Sequence, residues 1–139
     1  MRVMVIVKGS KESEAGILPP KELFEKMHQF NQQLADAGVL LAAEGLQPTS
    51  KAKRVRFSGE KKLVIDGPFA ETRELIAGFW LWQVRTMDEA VDWLKKAPFG
   101  GGAEIEIRPL YEDCDLGEGF TPELQASNRR LRQQIAVRK

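Results

Sequence analysis

Cysteine and histidine are almost absent from this 139-residue chain, which holds one of each, Cys114 and His28. A single cysteine excludes a disulfide framework within the chain and any cysteine-rich zinc site. A single histidine excludes a multi-histidine metal centre built by one chain. No apolar run approaches the ~18 residues of a membrane span. Excess charge of one sign, the footprint of a nucleic-acid binder, is missing as well: 21 Lys and Arg oppose 20 Asp and Glu, for a formal net charge of +1. The first residues, MRVMVIVKGS, have neither the long apolar stretch nor the small-residue cleavage site of a signal peptide, so a cytoplasmic location is expected. There is no GxGxxG after a strand, no Walker A loop, no GxSxG elbow and no HExxH. The acidic residues Glu112, Asp113, Asp115 and Glu118 do not have the spacing of a calcium loop. No organic cofactor, metal, nucleic acid or membrane is therefore expected as a partner.

What is present suits one globular domain. Apolar residues make up 42% and charged residues 29% of the chain. Arg2–Lys8 alternates Val3, Val5 and Val7 against Met4 and Ile6, which predicts a strand with two apolar faces, inside a sheet. Gly9–Pro19 reads as a loop. Pro20–Ala37 repeats Leu23, Met27, Phe30 and Leu34 at helical spacing, with Gly38 as its stop. Val39–Leu46 is a second strand. Lys53–Phe57 and Lys61–Ile65 form a hairpin around Ser58-Gly59-Glu60, with one wet face. Gly78–Arg85 is another interior strand, dividing Phe79 and Leu81 from Trp80, Trp82 and Val84. Thr86–Lys96 is a helix opened by a capping box of Thr86 and Glu89. Ala103–Leu110 is a last strand, with Ile105 and Ile107 on one face and Glu104, Glu106 and Arg108 on the other. Thr121-Pro122 opens a final helix, to about Val137, whose apolar stripe is thin.

The order β-α-β-(hairpin)-β-α-β is that of an α+β, ferredoxin-like split βαβ fold with an added hairpin and C-terminal helix. Residues 1–110 form the ferredoxin-like domain, and 111–139 are an extension of it that is not independent. Two helices cover one face of such a sheet. The other face is then closed by a second copy, as a homodimer, or by the hairpin and C-terminal helix folding back.

Residues 66–74, Asp-Gly-Pro-Phe-Ala-Glu-Thr-Arg-Glu, carry a family signal. The chain resembles the YCII-related proteins, in the branch marked by DGPF followed by Ala-Glu-Thr-Lys-Glu; Arg73 stands where that branch commonly has lysine. The resemblance spans roughly residues 1–110 and includes Phe30-Asn31, Glu44-Gly45-Leu46, Gly78-Phe79 and Glu106-Ile107-Arg108-Pro109. It implies a dimeric α+β barrel in which two ferredoxin-like sheets face each other. Some relatives look like enzymes, including a dehydrochlorinase of aromatic catabolism; others are encoded beside extracytoplasmic-function sigma factors.

Each candidate site residue has two readings. Asp66 follows a strand and could take a substrate proton, or hold its own backbone in an Asx turn. Glu71, Arg73 and Glu74 could form a polar rim, with Arg73 receiving an anion, or a solvated network. His28 lies off the apolar helix stripe and is either solvent-facing or an acid–base group. Phe69 anchors its loop or walls a pocket. Glu44, Glu106 and Arg108 are structural charges or line a cavity in which carboxylates shift one another's pKa. One functional expectation is a small molecule in a dimer-associated cavity, with cofactor-independent acid–base chemistry from Asp66, Glu71 and His28 and contacts from Glu44, Phe69, Arg73, Glu106 and Arg108. The other is a non-catalytic sensor or interaction module linked to a sigma factor.

Overall fold

The computed structural model describes residues 1–70 and 74–137. Among the described residues there are six strands: β1 (Arg2–Lys8), β2 (Leu40–Gly45), β3 (Lys53–Ser58), β4 (Lys61–Asp66), β5 (Ile76–Gln83) and β6 (Ile105–Pro109). Four α-helices accompany them: α1 (Lys11–Glu14), α2 (Lys21–Asp36), α3 (Met87–Leu94) and α4 (Pro122–Val137). The main sheet is antiparallel in the order β2-β5-β1-β6, and β3 and β4 pair apart from it. With the hairpin set aside, this is the strand order of a ferredoxin-like α+β fold. β1 and β5 are central, as their doubly apolar faces require.

The core lies between the sheet and its helices. Val3, Val5, Trp80, Trp82 and Val84 point to the helix side and meet Phe30 and Leu34 of α2 and Ala90 of α3. Full burial of such side chains is worth roughly 1.5–3 kcal/mol each. Phe30 sits edge-on to Trp80, with centroids 5.9 Å apart and planes at 82°. Gly38, at φ +74°, ends α2 in the left-handed region, where a side chain would be strained.

Three expectations need correction. Gly9–Pro19 is not all loop: Ser10 and Ser13 cap each other across one helical turn, α1. That turn carries no apolar stripe, so periodicity could not show it. The capping box at α3 is half made. The Thr86 hydroxyl accepts from the Glu89 N–H, but the Glu89 carboxylate accepts from the Arg85 N–H instead of the Thr86 N–H. The hairpin also lacks the dry face that alternation implied, since every residue of β3 is exposed.

Contacts divide the chain into two compact units, Met1–Pro109 and Leu110–Lys139. Within the second, α4 presents Leu124, Leu131 and Ile135 as exposed side chains. No helix of the described residues is long and apolar enough to cross a membrane.

Candidate functional site

β4 ends at Asp66, and the Gly67–Pro68 peptide that follows is cis. The turn is fastened from beneath by Thr49, which opens a short 3-10 turn at Thr49–Lys51. The Phe69 N–H donates to Thr49 Oγ1 (3.1 Å), and the Gly67 N–H to the Ala52 carbonyl (3.0 Å). Thr49 Oγ1 in turn donates to Glu14 Oε2 (2.6 Å), while the Thr49 N–H donates to Glu14 Oε1 (3.2 Å). Hydrogen bonds to a carboxylate are the stronger kind, so Glu14 anchors the chain of contacts. Gly67 is required here for space: a Cβ on it would lie 1.7 Å from the Thr49 carbonyl oxygen. The half-buried Phe69 ring carries the Arg54 guanidinium 3.7 Å above its centroid.

A cavity of about 610 Å³ opens on the helix side of the sheet. Its walls are the chain after α1 (Gly16–Pro19), one face of α2 (Phe24, Met27 and Asn31) and the adjoining ends of β2 and β5. Trp80 and Phe99 meet edge to face there, 6.0 Å apart at 84°. The indole N–H of Trp80 donates to Asn31 Oδ1 (2.8 Å). Among the described residues, Glu44 is the one ionisable residue bordering the cavity. Strand alternation nevertheless sends its side chain to the other face, because its neighbour Ala43 pairs with Trp80.

The opposite sheet face carries no helix of the first unit. Its residues form two rows across the strands: Glu44–Phe79–Ile6–Glu106 and Ala42–Leu81–Met4–Arg108. The centre of each row is apolar, and three of the four edge positions, Glu44, Glu106 and Arg108, are charged. Glu106 binds Lys8 (3.2 Å) and Arg108 (2.5 Å). Hydrogen bonds from Lys8 first and Arg108 second hold the Glu106 carboxyl below its ordinary value. Glu44 lies on the far edge strand, three strand spacings or roughly 14 Å away. The two carboxylates of one chain therefore do not share a proton.

The model of the YCII-related domain matches residues 1–112. The chain belongs to the YCII-related domain family. An uncharacterised protein of Rhizobium meliloti (strain 1021) is 35% identical to it over 100 residues, covering 69% of this chain and 81% of that protein.

In this YCII-related fold the residues singled out by sequence lie in separate places. Asp66 pairs with Lys53 (2.6 Å) across the hairpin, where β3 and β4 bring them opposite each other. His28 is exposed on α2, one residue beyond Met27 and off the cavity wall. Glu106 and Arg108 share the open face, and Phe69 lies in the DGPF turn. Glu71 and Arg73 fall outside the described residues; Glu74 is exposed. Among the described residues, no group of three or more His, Cys, Asp or Glu side chains could hold a metal ion. Sequence reasoning missed Glu14, Thr49 and the facing of Asn31 into the cavity. Phe30-Asn31 belonged to the family resemblance, but only the Trp80 indole, 49 residues away, gives the Asn31 amide its direction.

Proposed function

We propose that this YCII-related protein binds a small molecule in the cavity over Trp80. The observation that carries the reading is the cavity itself: about 610 Å³, largely apolar, with few inward polar groups. That is the size and make-up of a small-molecule site. Asp66 and His28 lie away from its wall, which supports binding as the central role over acid–base turnover. A sigma-factor link rests on the family resemblance alone.

The test is a thermal-shift screen of neutral and charged metabolites on the wild type and on Met27→Trp, which fills the cavity. A ligand at ~100 × Kd stabilises by about 2.7 kcal/mol. Ligands that stabilise the wild type and lose their effect on Met27→Trp support the proposal. Stabilisation that is equal in both variants refutes it.

The binding form in this reading is a homodimer closed through the open sheet face. Three half-buried apolar side chains at the centre of that face, Met4, Phe79 and Leu81, support it, with Ile6 already buried among them. A copy turned about an axis along the strands sets the edge that carries Glu44 over the edge that carries the Glu106–Arg108 pair. Leu81→Glu should then yield a monomer in sedimentation. An unchanged sedimentation coefficient in Leu81→Glu refutes this interface.

A further inference from the structure

We infer that the cavity selects an uncharged aromatic molecule bearing a hydrogen-bond acceptor, and that the Asn31 carboxamide reads that acceptor. The inference rests on the small-molecule reading above and names the ligand class.

The argument begins with the indole. A tryptophan N–H only donates, so the Asn31 atom facing Trp80 Nε1 at 2.8 Å must be the oxygen. This bond orients the whole amide. It leaves the Nδ2 group, with its two N–H donors, on the other side, and among the described residues those donors have no partner. Asn31 borders the cavity, so a donor is presented to whatever occupies it. Of the other polar side chains on the wall, Gln47 is exposed, while Ser13 and Glu44 offer less. The Ser13 hydroxyl accepts from the Ser10 N–H and donates to the Ser10 carbonyl, and so is engaged in capping α1. The Glu44 side chain belongs to the opposite face.

Charge and shape narrow the class further. No lysine, arginine or histidine of the described residues lines the cavity. A carboxylate or phosphate would lose its hydration there and gain no counter-charge. The edge-to-face pair of Trp80 and Phe99 can be extended by a third ring in the same geometry. Met27, also on the wall, adds a polarisable side chain that packs well against ring edges. An aromatic ketone, ester or ether fits all of these features, whereas an aromatic acid fits all but the charge.

Three probes separate the contributions: acetophenone supplies ring and acceptor, ethylbenzene the ring alone, and benzoate the ring with a charge. Each is titrated into the 15N-labelled full chain, and the indole N–H signals of Trp80, Trp82 and Trp93 are followed. Acetophenone should shift the Trp80 signal saturably and bind about tenfold tighter than either other probe, the worth of one hydrogen bond. Asn31→Asp keeps an oxygen for Trp80 but replaces the donor with an acceptor. In that variant the Trp80 indole signal should persist, while the acetophenone preference over ethylbenzene disappears. Asn31→Ser, which shortens the side chain, should lose the preference as well. Benzoate binding as tightly as acetophenone, or an unchanged preference in both variants, overturns the ligand class but leaves a small-molecule site. Failure of all three probes to move Trp80 overturns the site along with it.

Discussion

Gly67→Ala tests whether the DGPF turn is held by packing. The new Cβ would lie 1.7 Å from the Thr49 carbonyl oxygen, 2.7 Å from the Thr49 carbonyl carbon and 3.3 Å from the Ala52 oxygen. All three are backbone atoms, so no side chain can swing aside. Gly67 is not at positive φ, so the penalty is steric and not conformational. To admit the methyl, the turn must part from Thr49–Lys51. That breaks the bond from the Gly67 N–H to the Ala52 carbonyl and the bond from the Phe69 N–H to Thr49 Oγ1, and it disturbs the Thr49–Glu14 contact. At about 1 kcal/mol net for each bond, the expected loss is about 3 kcal/mol. For a domain of this size each kcal/mol corresponds to roughly 4 °C, so Tm should fall by roughly 12 °C. Urea unfolding followed by circular dichroism gives the free energy, and amide exchange at Phe69 reports the turn itself. Gly101→Ala is the control, since its Cβ meets nothing within 4 Å and its φ is not positive; it should leave stability unchanged or slightly raised. A Gly67→Ala protein within about 0.5 kcal/mol of the wild type, with normal Phe69 protection, would refute the packing argument.

Three further outcomes follow from the geometry. Asp66→Asn weakens an exposed pair with Lys53, so stability should change by no more than about 1 kcal/mol; a larger loss in urea would mean that Asp66 holds something besides Lys53. Trp80→Phe should cost about 1–3 kcal/mol more than Trp82→Phe in the same assay, because it breaks the bond to Asn31, whereas Trp82 Nε1 is buried with no partner among the described residues and its removal relieves an unmet donor; equal losses would contradict this. The Glu106 carboxyl is held below its ordinary value by Lys8 and Arg108, so the folded state takes up its proton less readily than the unfolded chain does. Its contribution is full above the ordinary value of 4.5 and is lost as pH falls through the lowered one; Glu106→Gln should therefore flatten the stability–pH slope on the acid side, and an unchanged slope would show that the pair does not form in solution.

The sheet was legible in the sequence because alternation is local. Arg2–Lys8 displays both of its apolar faces within seven residues, and its central place follows. The division of Phe79 and Leu81 from Trp80 and Trp82 was equally plain, since a strand has a fixed period. Asp66 was harder. Its own neighbours suggest an Asx turn, but its partner Lys53 is selected by the register of β3 against β4, which the local pattern does not state. The cavity was not legible at all. It needs the chain after α1, one face of a helix, and two strand ends whose side-chain directions depend on a register shift in β2. Asn31 reads as an ordinary polar helix residue until Trp80 is placed against it.

The DGPF segment attracts attention as chemistry, because a carboxylate, a glycine, a proline and an aromatic stand in a row. The geometry gives it a different connection to the cavity. Thr49, which holds the turn, is directly preceded by Pro48, a cavity wall residue, and its carboxylate partner Glu14 lies between two others, Ser13 and Gly16. The Glu14–Thr49 bonds thus tie together two wall segments that are distant in sequence, and the DGPF turn sits on that tie through Phe69 and Gly67. A wall fixed in this way loses less conformational freedom when a ligand arrives, which favours affinity without any contact from the motif itself. The motif can therefore matter for binding while none of its side chains touches the ligand. Mutational sensitivity at Gly67 or Phe69 would then be evidence for a well-held wall, and assigning catalysis to Asp66 would need a change in rate that stability does not explain.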